Sequence, residues 1–112
     1  MQHTMRLWES SFHSVKSGTK TIEIRLFDEK RALLNSGDTI AFENSKTGEK
    51  ISCLIKNIYK YATFEELYAN HEKTALGYRA DEEASPNDML AYYTQAEIDK
   101  YGVVGIEIEK IK

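Results

Sequence analysis

The chain has little cysteine, little proline and no long apolar run. Cys53 is the one cysteine in 112 residues, so a disulfide within the chain is impossible and a reducing compartment is favoured. One proline and six glycines are too few for a disordered or low-complexity chain. No apolar run approaches the ~20 residues that cross a bilayer, and the sequence MQHTMRLWES lacks the apolar core of a signal peptide. We therefore expect a cytoplasmic protein with no membrane segment.

The motifs of several enzyme classes are also missing. His3, His13 and His71 lie far apart and form no ligand pair at metal spacing, so we predict no metal site. The sequence contains no GxxxxGKS/T, GxGxxG or GxSxG pattern. Phosphate-loop, dinucleotide-binding and hydrolase-elbow chemistries are therefore unsupported, and we predict no cofactor.

Positive charge is scarce overall but unevenly distributed. The net charge of -3 argues against a strong, indiscriminate polyanion binder. Residues 16–31 nevertheless hold five basic and three acidic side chains, whereas residues 65–99 hold two basic and nine acidic ones. Two interpretations remain open: these are ordinary solvated faces, or the first segment forms a local anion site on an acidic body.

The hydrophobic pattern predicts one small domain over residues 1–112 in which strands outnumber helices. Alternating apolar residues predict the strands, and capping signals at Ser10, Thr63, Ser85 and Thr94 predict short helices. The expected strands cover residues 5–8, 20–26, 39–43, 50–60 and 103–111, and a long loop covers residues 71–84. The uneven spacing favours a small mixed barrel over an alternating α/β sheet.

One charged segment stands out at the start of the second expected strand. Glu23 and Arg25 fall on the same side of residues 20–26, and alternation places them on the exposed face. Their spacing suits a charge pair or joint recognition of one polar ligand. If the alternation of the strand extends back to Lys20, this side chain lies on the same side as the core residues. It can reach a cleft only if the turn at Gly18 redirects it.

The G-x-K-x-x-E-x-R pattern at Gly18, Lys20, Glu23 and Arg25 resembles the signature of the ASCH domain family. The order of the predicted elements and the ending KYGVVGI agree with that family over nearly the whole chain. The resemblance implies a PUA-like fold of the α+β, mainly β class: a small mixed β-barrel of about five to six strands decorated by short helices. It also implies a cleft beside the motif and recognition of RNA or a modified nucleoside, often by a stand-alone bacterial domain.

The first functional hypothesis is a binding module for single-stranded RNA, a modified base or a nucleotide-like ligand. Lys20 and Arg25 would contact phosphate or base, and Glu23 would accept from a base amine. Trp8 and Tyr78 are the preferred stacking candidates, because single-stranded recognition commonly uses exposed aromatic rings.

The second hypothesis is a hydrolase acting on a modified nucleoside or RNA. Relatives in the family include amidohydrolases of N4-acetylcytidine, which resemble this chain at Lys20 and Arg25 but have a nucleophilic threonine in place of Glu23. Others are ribonucleases, whose catalytic groups do not map onto this sequence. Lys20 and Glu23 would then be the catalytic acid/base pair, with Glu23 activating water.

The third hypothesis is a protein-interaction or regulatory domain that uses the acidic segment Asp81–Glu83 and the surrounding loop. The oligomeric state, like the identity of the ligand, is not indicated by the sequence.

Overall fold

A computed structural model describes residues 1–111, in which five strands form one curled sheet with several short helices. The strands are β1 (Gln2–Leu7), β2 (Ile22–Leu26), β3 (Thr39–Asn44), β4 (Lys50–Tyr61) and β5 (Val103–Lys110). Their order in the sheet is β1-β3-β4-β5-β2; β1 pairs with β3 in parallel, and the other neighbours are antiparallel. This half-barrel confirms the predicted small mixed β architecture.

The helices lie in the connections between the strands. They are α1 (Glu9–Ser17), α2 (Phe64–Asn70) and α3 (Gln95–Tyr101), with 3₁₀ turns at Arg31–Leu33 and Pro86–Ala91. The predicted caps at Thr63, Ser85 and Thr94 are confirmed, because each side chain accepts a hydrogen bond from a backbone N–H of the first turn. The predicted cap at Ser10 was wrong, since α1 begins directly after Trp8.

The first strand also begins earlier than the sequence pattern suggested. We predicted residues 5–8, but β1 extends back to Gln2 and ends at Leu7. The residues before Met5 are polar because β1 is an edge strand, and its backbone pairs with β3 from Thr39 onwards. Backbone pairing of this kind leaves no apolar signal in the sequence.

Two apolar clusters bury the two faces of the sheet. The interior cluster joins β1, β3, β4 and β5 to α1 through side chains such as Phe12, Phe42 and Ile106. The outer cluster packs β2 against α2 and α3 through Leu67 and Ile98, among others. Burial of each such side chain stabilises the fold by roughly 1.5–3 kcal/mol. The apolar residues of β2 all belong to the outer cluster, and this strand has very little exposed surface.

The curl of the sheet brings its two edge strands close together. β1 and β2 are the outer strands in the sheet order, yet Arg25 Nη2 in β2 donates to the carbonyl oxygen of Arg6 in β1 at 2.8 Å. The Arg25 side chain, and not a ladder of backbone hydrogen bonds, therefore connects the two edge strands. The charged segment of β2 lies beside this connection.

Cys53 is fully buried within the interior cluster. Burial raises the pKa of its thiol to about 11, so the group stays neutral near pH 7. No helix within the described part of the chain is long and apolar enough to cross a bilayer.

Candidate functional site

A cavity of about 710 Å³ opens between the two edge strands. Its lining comes from the β1–α1 junction, β2, the loop after α2 and the 3₁₀ turn Pro86–Ala91. This volume lies in the usual range for small-ligand sites. We call the cavity the cleft. It is lined by all of the ligand contacts predicted from the sequence: Trp8, Lys20, Glu23, Arg25 and Tyr78.

The floor of the cleft is an ion-paired triad of Lys20, Glu23 and Arg25. Glu23 Oε1 lies 2.9 Å from Lys20 Nζ, and it also accepts from the backbone N–H of Ile24 at 3.2 Å. Glu23 Oε2 accepts from Arg25 Nε at 3.0 Å and from Arg25 Nη2 at 2.8 Å. A single carboxylate therefore holds both cations in place, and both of its oxygens are occupied.

Glu23 is only 3% exposed, so the prediction that it lies on an open face was wrong. In the sheet it pairs with Ile106 of β5, which belongs to the interior cluster. Cross-strand partners share a face, so Glu23 points into the half-barrel. Alternation identified the two faces of β2 correctly but could not indicate that the outer face is covered by helices and the inner one by the barrel.

Lys20 reaches the cleft because it lies before β2, where strand parity does not apply. Its backbone N–H donates to the carbonyl of Ser14 in α1, and its side chain is buried, with 9% exposed. The aliphatic part of that side chain passes over Gly77, where an added Cβ would lie 3.1 Å from Lys20 Cδ. Gly77 also has a φ of +109°, a conformation that side chains disfavour.

The electrostatics of the floor favour the charged forms of Glu23 and Arg25. Burial by itself raises the pKa of Glu23, but the charges and hydrogen bonds of Lys20 and Arg25 outweigh it and hold the pKa below the usual 4.5. Burial likewise opposes the charged form of Arg25, and Glu23 reverses this effect and raises the arginine pKa. Two positive charges and one negative charge leave the floor with one net positive charge.

The floor retains unused hydrogen-bond donors. The guanidinium of Arg25 forms hydrogen bonds through Nε and Nη2. Its Nη1 has no partner within residues 1–111. Lys20 Nζ contacts only Glu23 among the described residues, although an ammonium has three donors. Both groups line the cleft, so the floor is able to receive an anionic or carbonyl oxygen.

The wall of the cleft is a chain of hydroxyl hydrogen bonds formed by Tyr68, Tyr78 and Asp88. Tyr78 Oη donates to Asp88 Oδ2 at 2.8 Å, and the hydroxyls of Tyr68 and Tyr78 lie 2.8 Å apart. Burial, together with the bonds to Tyr68 and Asp88, raises the pKa of Tyr78, so this hydroxyl stays protonated. The chain ties the loop and the 3₁₀ turn to α2.

Two aromatic rings stand at the mouth of the cleft. Trp8 is 67% exposed and Tyr92 is 59% exposed, which is unusual for large apolar rings. Tyr93 lines the cleft behind them, and its ring stacks on Phe64 at a centroid distance of 6.1 Å. Trp8 was predicted at the end of the first strand, and it occupies the junction between β1 and α1 instead.

Sequence reasoning missed several residues of the site. Arg6 lines the cleft beside Trp8, Gly77 supports Lys20, and Asp88 completes the wall. The sequence offered one partial signal, a glycine directly before Tyr78 in a long loop without periodicity. Asp88 was interpreted only as a helix-start residue, because its neighbours Ser85 and Pro86 form a capping pattern.

Comparison with known proteins identifies the family to which this fold belongs. The family model of the ASCH domain matches residues 5–112. The chain belongs to the ASCH domain family. A search of the curated proteins gives no match.

Solved structures similar to this ASCH chain include two of nearly equal length. The hypothetical protein PH0355 is 33% identical with a TM-score of 0.85, and the match covers 99% of this chain and 100% of that one. The protein PF0455 from Pyrococcus furiosus is 31% identical with a TM-score of 0.78, covering 100% and 99% of the two chains.

The fold is also shared with an ASCH protein from Zymomonas mobilis. Its serine-to-alanine mutant is 13% identical with a TM-score of 0.69, and the match covers 99% of this chain and 73% of that one. At this identity the comparison concerns the fold alone.

Proposed function

We propose that this ASCH domain binds single-stranded RNA or a nucleotide-like ligand in the cleft. The observation that carries the proposal is the floor, where Glu23 holds Lys20 and Arg25 side by side while leaving donors on both unused. In this proposal a phosphate or base oxygen of the ligand takes those donors. Charge-assisted bonds of this kind are roughly twice as strong as neutral ones.

A floor fixed before the ligand arrives lowers the entropic cost of binding. Lys20 and Arg25 are long side chains that lose freedom when they are immobilised, and Glu23 has already immobilised them. The floor carries one net positive charge, whereas the whole chain carries a net charge of -3 that repels a polyanion. We therefore expect modest affinity with a shallow salt dependence, corresponding to about one or two phosphate contacts.

The aromatic mouth supports an unpaired base as the second part of the ligand. Trp8 and Tyr92 expose their rings beside the charged floor. Stacking of a base on such a ring contributes roughly 1–3 kcal/mol, and it requires a base that is free of a duplex. A single strand or a free nucleotide therefore suits the cleft better than a double helix.

The state of Glu23 supports binding over hydrolysis. A general base needs a free lone pair and a pKa near the working pH. Glu23 has donors on both oxygens and a lowered pKa, so it is a weak candidate for activating water. We expect no acetate release from N4-acetylcytidine, and proton NMR of the reaction mixture would detect it. Acetate formed by the wild type and lost in Glu23→Gln would overturn this assignment.

The binding test uses the only tryptophan of the chain as its reporter. Trp8 fluorescence is followed while a single-stranded RNA hexamer is added. Arg25→Lys keeps the charge that Glu23 needs but removes the unused Nη1 donors. We expect it to weaken binding about tenfold, since one bond to a charged group contributes about 1.5–3 kcal/mol.

The same substitution at an exposed site provides the matched control. The side chain of Arg79 is 76% exposed and pairs with Asp81 and Glu82, and Arg79 itself does not line the cleft. Arg79→Lys should leave the affinity within about twofold of the wild type. Saturable binding that Arg79→Lys weakens as much as Arg25→Lys would contradict the proposed site. If the RNA does not bind the wild-type protein, the proposed function is contradicted and a protein partner is favoured.

A further inference from the structure

The acceptor for a base amine lies elsewhere than the sequence suggested. Glu23 was the expected acceptor, but its oxygens already receive Lys20, Arg25 and a backbone N–H. Asp88 is another carboxylate that lines the cleft. Its Oδ2 accepts from Tyr78, and its Oδ1 has no partner within residues 1–111. An open carboxylate acceptor of the cleft therefore lies in the wall, and none lies in the floor.

Glu82, a further carboxylate of the lining, is more heavily engaged than Asp88. Its Oε1 accepts from the backbone N–H of Arg79 at 2.7 Å and lies 3.8 Å from the Arg79 guanidinium. Asp88 has no cation within ion-pair distance among the described residues, so its negative charge is uncompensated. A donor from a ligand would meet the stronger acceptor at Asp88.

The hydroxyl chain fixes Asp88 relative to the floor. The hydroxyls of Tyr68 and Tyr78 lie 2.8 Å apart, and Tyr78 donates its one hydrogen to Asp88 Oδ2, which leaves Tyr68 as the donor to Tyr78. Tyr78 directly follows Gly77, which packs against the Lys20 side chain. The charged floor and the open acceptor thus line one cleft and are connected through residues 77 and 78.

We propose that Asp88 selects ligands whose base carries an exocyclic amino group, such as cytosine or adenine, over bases with a carbonyl at that position, such as uracil or hypoxanthine. The inference rests on the proposed function, because it assumes that the floor receives the phosphate or sugar side of the same ligand. An ionised carboxylate accepts but cannot donate. An amino group satisfies it, whereas a carbonyl oxygen places lone pairs against lone pairs.

The experiment compares bases in which a carbonyl replaces the exocyclic amino group and the adjacent ring nitrogen changes from an acceptor to an N–H donor. A preference for the amino-bearing base therefore requires that Asp88 contacts the exocyclic group and not the ring N–H. Trp8 fluorescence is titrated at neutral pH with single-stranded hexamers of cytidine and of uridine, and then with hexamers of adenosine and of inosine. In each pair we expect the amino-bearing hexamer to bind about three- to tenfold more tightly, because Asp88 is exposed and water screens the bond to its carboxylate. Two pairs are used so that ring size and stacking strength cannot account for the preference.

Two variants connect the preference to Asp88. Asp88→Asn supplies an amide that donates as well as accepts, so the ratio of affinities within each pair should fall to about one. Asp99→Asn is the matched control: it makes the same change on α3, where Asp99 accepts from Gln95 outside the lining of the cleft, and it should keep the full preference.

The possible outcomes distinguish failure of the base preference from failure of RNA binding. A preference in both pairs that Asp88→Asn alone abolishes would support the inference. Equal binding of amino and carbonyl hexamers by the wild type would overturn the inference and leave the RNA-binding function standing. A preference that persists in Asp88→Asn would also overturn it. If no hexamer binds, the proposed function fails and the inference fails with it.

Discussion

The floor and the wall of the cleft are held together by different forces. The floor consists of Lys20, directly before β2, and of Glu23 and Arg25 within β2, and a buried carboxylate neutralises part of its charge. The wall lies on a loop and a 3₁₀ turn, and hydrogen bonds between partly exposed hydroxyls hold it. The comparison sets a rigid charged floor beside a wall whose chemistry can vary at little cost to the fold.

Removal of Glu23 should have the largest effect on stability. Glu23→Ala would leave Lys20 and Arg25 buried side by side without a counter-charge, and breaking a buried pair in this way costs about 3–5 kcal/mol. Urea denaturation would give the change in the free energy of unfolding. Glu43→Ala is the control, since Glu43 pairs with the exposed Arg6 and its loss should cost less than about 1 kcal/mol. Equal costs would show that the floor does not depend on its carboxylate.

Acid should weaken the floor through the same group. The pKa of Glu23 in the folded chain lies below the usual 4.5, so its contribution is fully present above about pH 4.5 and is lost as the pH falls through the folded value. The gap in urea midpoint between wild type and Glu23→Gln should therefore narrow on acidification from about pH 7 to about pH 3. A gap that stays constant would mean that Glu23 is not ionised in the folded chain.

Gly77 connects the wall to the floor, and a pair of glycine substitutions tests that connection. Gly77→Ala and Gly48→Ala both place a side chain at positive φ, which costs roughly 1–2 kcal/mol in each case. Only at Gly77 would the new Cβ meet Lys20, because Gly48 has open space around it. We expect both variants to lose similar stability and Gly77→Ala alone to bind RNA more weakly. Unchanged RNA affinity in Gly77→Ala would mean that the position of Lys20 does not depend on the loop.

The wall should give the smallest stability change. Tyr78→Phe removes the hydroxyl between Tyr68 and Asp88, and the loss should be about 1 kcal/mol. Tyr92→Phe is the control because its ring is exposed and its hydroxyl has no partner among the described residues, so it should change stability by less than about 0.5 kcal/mol. A cost for Tyr78→Phe that approaches that of Glu23→Ala would erase the distinction between wall and floor.

The sequence predicted the parts of the fold that carry strong local signals. The long strand β4, the caps at Thr63 and Thr94, and the loop after α2 follow from alternation, capping patterns and missing periodicity. The motif residues Lys20, Glu23 and Arg25 also lie together in the structure. The burial of Glu23 did not follow, since alternation cannot distinguish a strand covered on one face from a strand covered on both.

The wall was unpredictable for a different physical reason. Asp88 and Tyr68 reach the cleft only because a loop without periodicity folds back over β2, where the backbone N–H groups of Thr21 and Ile22 both donate to Ala75. No local preference encodes such a long-range contact. The position of the Lys20 side chain was unpredictable for the same reason. The turn before β2 and Gly77 set its direction, and the alternation of the strand does not.

The most direct test of the cleft as the binding site is a residue-resolved titration. Backbone amide NMR spectra of the labelled protein are recorded while a single-stranded RNA hexamer is added. The account predicts that shifts cluster at residues 18–25 and 76–78, with the indole signal of Trp8 moving as well. It would be contradicted by saturable shifts that lie elsewhere, for example around Asp81–Glu83, or by spectra in which no resonance of the cleft moves.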